Sequence, residues 1–532
     1  MKRIKVIGGG LAGPEAALQA AAAGCEVHLY EMRPIRSTEA HQTADFAELV
    51  CSNSLKSESE NSAPWLLKQE MRRANSFLLA DADATAVPAG HALAVDRELF
   101  SQRVAARIAA LAGSGPGTIT VHREEVTTLD ENDLNTITIL ASGPLTSPAL
   151  TAELQRLTGS DHLAFYDSIS PIVDATTIDM DKVYFAARWD KGTADYLNCP
   201  FTKEQYETFL DALTTAEAVP PKPWEQIPTA ESVAPYMTAS SSCVGETTTE
   251  QSSSDGLSTG TPTAPSPSET HHPSPQAEDL AHSAPVGAGG FSPLNSDIDK
   301  GGFRPGPSPS PEKLQYFEGC LPIEETARRG RDTLRFGPMK PAGLTDPKTG
   351  RWPYACVQLR QENLRADSYN LVGFQNHLKY SEQARVLRLI PGLENAKFLR
   401  YGQIHRNTYI HAPSLLTETL QLKAHPTILI AGQLSGVEGY TESIASGLLA
   451  GRYAAALAHG TQPTPAPRLT ANGSLTHYIT HAETKKFQPA NITFDLLPPL
   501  EEDLRKRIRD KKERHRIQCD RALEAWNEWL NL

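Results

Sequence analysis

The hydrophobic pattern at the start of the chain predicts a strand, a turn, a helix and a second strand, in that order. An apolar run ends at Ile7, and an Ala-rich stretch typical of a helix follows as far as Ala23. Residues 25–31 then alternate, with Val27 and Leu29 on one face, as in a half-buried strand. This order predicts a βαβ unit.

The rest of the pattern predicts a chain that mixes strands and helices. Apolar runs bounded by Gly and Pro indicate strands, and longer stretches with helical spacing indicate helices. The predicted elements are helix over most of 65–112, strands at 118–126, 136–140, 168–173 and 182–185, a helix at 202–215, strands within 351–376, a strand at 427–431, a helix at 441–459 and a charged helix at 500–530.

The turn of the βαβ unit carries the pattern G-x-G-x-x-G. Its first glycine permits a tight turn, its second lets the backbone approach a pyrophosphate, and its third lets helix and strand pack closely. A pyrophosphate would lie at the helix N-terminus, where the helix dipole favours negative charge. An ordinary structural turn is the alternative. The candidate cofactor-binding residues here are Gly8, Gly9, Gly10, Leu11, Ala12, Gly13 and Glu31, whose carboxylate would accept ribose hydroxyls.

A second strand, glycine turn and helix occur late in the chain, at 427–451, and add Gly432, Gly436, Gly439 and Tyr440 to the candidates. A dinucleotide fold completed by so late a segment is typical of flavoproteins, so the predicted cofactor is FAD rather than NAD. The Tyr440 ring would stack on the isoalloxazine or on a planar substrate, or else serve packing. The alternative is a core strand and helix without ligand contact.

These patterns predict an α/β protein with a Rossmann-like FAD-binding domain formed by residues 1–165 and 345–460. A smaller α/β domain is predicted as an insertion at 166–344. Within it, residues 240–310 are rich in Ser, Thr, Pro and Gly and lack Trp and Tyr. Such a segment cannot offset an ordering entropy of roughly 1–2 kcal/mol per residue, so we predict a disordered insertion or a regulatory segment. Residues 461–532 are predicted to form a linker and a helical tail.

Composition narrows the class of protein further. A chain of 532 residues favours two or three domains. The net charge of −12 argues against an evenly basic surface but leaves room for a local one. No apolar run approaches the roughly 20 residues that span a bilayer, and no signal peptide precedes the first strand. Seven scattered cysteines without a C-x-x-C pair predict no metal site and a cytoplasmic location.

Two cysteines and one basic cluster are the further candidates for chemistry. Cys51 lies in the sequence LVCSNS and Cys320 in FEGCLP. An exposed thiolate of lowered pKa is a strong nucleophile, although free cysteines are more often buried and structural. Arg328, Arg329 and Arg331 follow Cys320 and would neutralise RNA phosphates. The C-terminal helix is also basic, but it carries enough acidic residues to be a solvated, salt-bridged helix instead.

Taken together, these stretches resemble the folate- and FAD-dependent tRNA (uracil-5-)-methyltransferases, the bacterial TrmFO family. The resemblance is distributed from end to end, and the contexts of Cys51 and Cys320 are its most specific parts. The family pattern has no long Ser/Pro-rich insertion at 240–310, which leaves open whether this segment aids or hinders tRNA docking. The matching stretches are residues 6–16, 46–56, 317–324, 402–410 and 432–451.

The resemblance implies that 5,10-methylenetetrahydrofolate supplies a methylene group to C5 of uridine 54 in the tRNA T-loop. Reduced FAD would provide the electrons that turn it into methyl, and NAD(P)H would re-reduce the flavin. Residues 8–13 would bind FAD, and Tyr440 matches a position whose ring stacks at the flavin–folate site. Cys51 and Cys320 would be the two functional thiols. Cys320 is the favoured uracil nucleophile because the basic cluster adjoins it.

Three other functions remain compatible with the sequence. A related flavoprotein that modifies the tRNA wobble uridine would share the first glycine motif but should lack the context at 317–324. A flavin-bearing RNA-binding protein without catalysis would accept electrons from NADPH but transfer no methyl group. A flavin oxidoreductase acting on a small molecule would turn over without tRNA.

Overall fold

The computed structural model describes residues 2–38, 40–159, 163–190, 193–219, 321–483 and 487–531, and only the backbone at 163–168 and 404–406. The predicted insertion at 240–310 and the candidate thiol Cys320 lie outside these residues. The strands are β1 (Arg3–Ile7), β2 (Val27–Tyr30), β3 (Ser54–Ser57), β4 (Ala86–Val87), β5 (Ala92–Val95), β6 (Ile119–His122), β7 (Thr136–Leu140), β8 (Leu163–Ser168), β9 (Ile172–Asp174), β10 (Tyr184–Phe185), β11 (Leu197–Phe201), β12 (Ala355–Gln361), β13 (Ser368–Leu371), β14 (Phe398–Arg400), β15 (Ile404–Tyr409) and β16 (Ile428–Ile430).

The helices connect these strands and form the C-terminal part of the chain. They are α1 (Ala12–Ala22), α2 (Ala63–Arg73), α3 (Phe77–Ala84), α4 (Arg97–Ala110), α5 (Pro148–Thr158), α6 (Lys203–Thr215), α7 (Ile323–Arg328), α8 (Thr333–Phe336), α9 (Tyr380–Leu387), α10 (Ala412–Leu415), α11 (Tyr440–Ala458), α12 (Ala471–His481), α13 (Glu502–Arg507) and α14 (Lys511–Leu530).

A five-stranded parallel sheet in the order β16-β7-β1-β2-β6 carries both glycine turns. Val6 of β1 pairs with Leu29 of β2 on one side and with Ile139 of β7 on the other. Strand β16 pairs in parallel with β7, which brings the late glycine segment beside the first one. Helices α1 and α11 pack against each other, and the strands are apolar because they form a buried core. The predicted α/β, dinucleotide-binding fold is confirmed.

A second sheet is antiparallel and has its own hydrophobic core. Its strand order is β10-β11-β12-β13-β9-β14. The core of this sheet is drawn from residues 173–216 and 323–398, whereas the core around the parallel sheet is drawn from residues 4–157 and 409–530. The domain boundaries inferred from sequence stay a prediction.

The C-terminal helix predicted at 500–530 is two helices, because the chain breaks between α13 and α14. The Asp510 side chain accepts a hydrogen bond from the N–H of Lys512 at 3.0 Å and so begins α14. One face of the second half of α14 is buried, and the Trp526 indole N–H on that face donates to the Glu70 carbonyl at 2.6 Å. The opposite face stays in solvent, and Arg516 pairs there with Glu513 and Asp520, so α14 is a salt-bridged helix with one face in the core. Within the described residues, no helix is long and apolar enough to cross a membrane.

Candidate functional site

The first glycine turn has the geometry that a bound pyrophosphate requires. Gly8 has a φ of +117°, and a Cβ there would lie 2.3 Å from the carbonyl oxygen of Ala141. A Cβ at Gly13 would lie 1.8 Å from the carbonyl oxygen of Gly8, so neither position tolerates a side chain. At Gly10, by contrast, no described atom lies within 4 Å of such a Cβ. A phosphate can therefore approach the start of α1, where the first backbone N–H groups lack helical partners.

Glu31 lies at the end of β2 and points back to this turn. Its carboxylate is 5% exposed and accepts hydrogen bonds from the Gly9 N–H at 2.7 Å and from the Arg33 Nε at 2.8 Å. Burial raises the pKa of Glu31, but the hydrogen bonds and charge of Arg33, with the Gly9 N–H, outweigh burial and hold the pKa below its ordinary value. The structure thus brings Glu31 and Gly9 together and keeps a negative charge beside the turn.

The late glycine turn lies against the first helix. The Gly432 N–H donates to the Ser446 hydroxyl at 2.8 Å, which fixes the turn on α11. A Cβ at Gly447 would lie 2.3 Å from the carbonyl oxygen of Ala12, so α11 packs directly on the first turn of α1. Gly436 has a φ of +93°, and its backbone packs against the Phe487 ring, which accounts for glycine there without a ligand.

Tyr440 joins this turn to the segment that carries Cys51. Its hydroxyl oxygen accepts hydrogen bonds from the backbone N–H of Cys51 at 2.7 Å and of Ser52 at 3.3 Å. The next residue, Thr441, donates its hydroxyl to the Leu55 carbonyl at 3.0 Å. Burial raises the pKa of Tyr440 far above its ordinary value, and the neighbouring Cys51 raises it further, so the phenol stays protonated. Two residues selected from distant motifs therefore share one site.

A buried ion pair fastens the same two segments. Lys56 Nζ lies 2.6 Å from a carboxylate oxygen of Glu442, which is fully buried, and 2.6 Å from the Asn491 side-chain oxygen. A Cβ at Gly439 would lie 2.6 Å from Lys56 Nζ, which explains a glycine with a φ of +111° at this position. The ion pair thus holds the chain segment that contains Cys51 and Lys56 against the N-terminal turn of α11.

Arg97 supports the Cys51 segment from the other side, and sequence reasoning missed it. Its guanidinium donates to the Leu49 carbonyl, lies 3.5 Å from the Cys51 carbonyl, and pairs with Glu362. A signal was present in the sequence: Arg97 is the first residue of a helix capped by Asp96, where the dipole disfavours a cation. An arginine in that position indicates a requirement other than helix stability.

Arg400 is the second missed arginine of this region. It ends β14 and donates to the Ala40 carbonyl at 3.0 Å. Burial lowers the pKa of Arg400, and the charge of Arg97 lowers it further, whereas Cys51 and Tyr440 oppose both effects. Arg97 and Arg400 therefore both interact electrostatically with Cys51, and Arg97 shares its charge with Glu362.

Cys51 differs from the other described cysteines in its exposure, because it alone is not buried. Burial raises the pKa of the Cys356 and Cys519 thiols to about 12 and also holds that of Cys199 well above its ordinary value. Those thiols are inert structural groups. The structure thus separates Cys51 from the remaining described cysteines, Cys25, Cys199, Cys356 and Cys519.

The predicted RNA-binding arginines lie around the end of α7 and form ion pairs on the surface. Arg328 pairs with Glu325. Arg331 is 58% exposed and pairs with Glu207 and, at 2.9 Å, with Asp211. Arg329 lies between them, just past the last residue of α7. Their role in RNA binding stays a prediction, and a phosphate would have to compete with these carboxylates.

The fold and its two glycine turns define a dinucleotide-binding protein of the α/β class. A model of the glucose inhibited division protein A family matches residues 3–233 and 309–462. A methylenetetrahydrofolate–tRNA-(uracil-5-)-methyltransferase TrmFO from Koribacter versatilis is 56% identical over 99% of this chain and 98% of its own length. The TrmFO protein of Solibacter usitatus is 52% identical with the same coverage. Aquifex aeolicus GidA has a similar structure, with a TM-score of 0.60 and 15% identity over 100% of this chain and 74% of that one.

The chain therefore belongs to the TrmFO family, which is the family that its motifs resemble. The two relatives match it over nearly their whole length, whereas the likeness to GidA, at 15% identity, concerns the fold alone.

Proposed function

We propose that the protein transfers a one-carbon unit from 5,10-methylenetetrahydrofolate to C5 of uridine 54 in the tRNA T-loop, in the cytoplasm, with FAD and NAD(P)H providing the electrons. The names of the two full-length relatives support the folate donor and the uracil acceptor. The structural observation that carries the proposal is the hydrogen bond between Tyr440 and the backbone of Cys51, since it sets a partly exposed thiol beside the glycine turns.

The residues of the two glycine turns fit a flavin dinucleotide. The open space at Gly10 and the N-terminus of α1 would hold the pyrophosphate, and the Glu31 carboxylate would accept a ribose hydroxyl through the oxygen that now binds Gly9. The turn that runs from Gly432 to Tyr440 would lie along the ring system. When bound, the flavin supplies the electrons that reduce the transferred methylene to methyl.

Two thiols divide the remaining chemistry. A thiolate that adds to C6 of uracil places an electron pair on C5, which can then attack the methylene carbon. We assign this attack to Cys320 because the arginines after it would hold the RNA backbone. We assign Cys51 the assisting role near the cofactor, where it lies in the field of Arg97 and Arg400. Tyr440 positions Cys51 through the backbone and keeps its own proton.

The test is an assay of the full-length protein with tRNA that lacks 5-methyluridine, together with methylenetetrahydrofolate, FAD and NADPH. We expect 5-methyluridine at position 54, detected by nuclease digestion and mass spectrometry. A tRNA with cytidine at position 54 is the matched control and should remain unmodified. Failure to form 5-methyluridine would refute the proposal, and modification at the wobble position would support the related flavoprotein activity instead.

A further inference from the structure

We propose that Glu418, His477 and His481 form a binding site for a divalent transition metal, of which Zn²⁺ is the best match. Both histidines belong to α12 and are one helical turn apart, so they lie on the same face. Glu418 comes from the loop after α10 and faces them. None of the three residues belongs to the site built around Cys51 and the glycine turns.

The distances among the ligand atoms are those of a site that can close around a metal. A carboxylate oxygen of Glu418 lies 3.0 Å from His477 Nδ1 and 3.7 Å from His481 Nδ1. One ligand atom from each residue lies within 4.8 Å of the other two. Bonds of about 2.1 Å in a tetrahedral Zn²⁺ site separate ligand atoms by about 3.4 Å. The three side chains therefore need only small rotations to bind an ion.

The scaffold of the cluster is firmly held on both sides. The first N–H groups of α12, at Ala471 and Asn472, donate to the buried carboxylate of Glu70 at 2.6 and 2.9 Å. The Glu418 loop is closed by the Thr417 N–H, which donates to the Gln421 carbonyl at 2.9 Å. Both elements that carry the ligands are therefore anchored without a metal, and only the partly exposed side chains of the three ligands must adjust.

The ligand set and its surroundings favour a borderline divalent ion with an open coordination position. Two imidazoles and one carboxylate suit Zn²⁺ and related metals rather than Ca²⁺ or Mg²⁺. Glu418 and His481 line a cleft of about 620 Å³, from which an ion and a water ligand can enter. Lys423 also lines this cleft, and its positive charge would lower the affinity of the site for a cation. Its ammonium group is held by a hydrogen bond of 2.9 Å to the Pro413 carbonyl.

The present hydrogen bonds define what metal binding must displace. His477 Nδ1 lies 3.0 Å from a carboxylate oxygen of Glu418, and His481 Nδ1 lies 2.9 Å from the Thr480 hydroxyl. The two rings stack with centroids 4.2 Å apart. A metal would replace the shared proton between Glu418 and His477 and would take His481 from Thr480. The alternative is a hydrogen-bonded cluster that never binds an ion.

The experiment uses tag-free, full-length protein, stripped with a chelator and dialysed against Zn²⁺. Metal content and binding isotherms are measured for the wild type and for Glu418→Gln, His477→Ala and His481→Ala. We expect one Zn²⁺ per chain in the wild type and more than about 100-fold weaker binding in each variant, since losing even an outer-shell partner costs about 10–100-fold. Co²⁺ in place of Zn²⁺ should give visible absorption bands in the wild type only.

The control variant is His425→Ala, which removes another partly exposed histidine from the same region and should bind Zn²⁺ like the wild type. Circular dichroism and the melting temperature of the metal-free proteins show whether each variant is folded. The proposal is overturned if the wild type binds no Zn²⁺, or if the folded His481→Ala variant retains wild-type stoichiometry and affinity. Neither result bears on methyl transfer, so this inference stands or falls separately from the proposed function.

Discussion

The segment around Cys51 and the surface that carries Arg328 and Arg331 are both rich in charge, yet they are built on opposite principles. Around Cys51, the contacts are directional and shielded: Tyr440 holds the backbone, and the Lys56–Glu442 pair has one partner fully buried. At the arginine surface, the ion pairs are exposed, and Arg331 divides its guanidinium between two carboxylates.

The difference suggests two roles: the buried contacts hold the Cys51 segment in position, whereas the exposed arginines are available to attract a charged partner. A buried pair is costly to break, because the remaining charge loses its partner without gaining water. Exposed pairs contribute little and exchange partners easily, which suits a surface that must meet a mobile polyanion. Changes in the first region should therefore affect turnover or folding, whereas changes in the second should affect affinity and its salt dependence.

The largest effect is expected from Cys51→Ala. Loss of the thiol should lower methyl transfer to tRNA by at least about 100-fold, the scale on which a positioned catalytic group contributes. The flavin content, measured by absorbance after reconstitution, should not change, because in the proposal the two glycine turns, and not the Cys51 thiol, hold the flavin.

Cys25→Ala is the matched control, since Cys25 is buried in the core of the parallel sheet. That variant should lose some stability. At temperatures below its unfolding transition, it should transfer methyl groups at the wild-type rate. A Cys51→Ala enzyme that transfers methyl groups at the wild-type rate would remove Cys51 from the mechanism.

Breaking the buried ion pair with Lys56→Met should lower the free energy of unfolding by about 2–3 kcal/mol. This lies below the cost typical of a fully buried pair, because the Lys56 side chain is 30% exposed. Urea titration followed by fluorescence measures the loss. Lys506→Met, which breaks the exposed pair with Glu502, should cost less than about 1 kcal/mol. Equal effects in the two variants would contradict the contrast between the regions.

Tyr440→Phe keeps the ring and removes only the acceptor for the Cys51 and Ser52 N–H groups. Leaving such donors unsatisfied costs about 1–3 kcal/mol, part of which should be seen as a lower kcat because the Cys51 segment loses its position. We expect kcat to fall about 10-fold with flavin binding retained. Tyr478→Phe removes a hydroxyl that donates to the Gln488 carbonyl on the surface, and it should leave kcat unchanged.

Sequence reasoning found the glycine turns because strand, glycines and helix are adjacent, so a local pattern carries the whole signal. The link between Lys56 and Glu442 joins positions 386 residues apart, and no local periodicity encodes it. The break between α13 and α14 could have been predicted from the sequence, since Asp510 is a helix N-capping residue within an otherwise uniformly charged stretch. The contact of Trp526 with α2 could not have been predicted, because it depends on the position of the Glu70 carbonyl in the folded chain.

The smallest effect is expected from Arg331→Gln on the exposed surface. If Arg331 exchanges Glu207 and Asp211 for a tRNA phosphate, its loss should weaken tRNA binding a few-fold at low salt and reduce the slope of log K against log salt by about one. Filter binding or fluorescence anisotropy over a salt series measures both. Arg365→Gln removes a similarly exposed arginine paired with Asp367 and should leave the slope unchanged. If the slope for Arg331→Gln equals that of the wild type, Arg331 makes no contact with a tRNA phosphate. The contact with tRNA would then have to be made by another part of the chain.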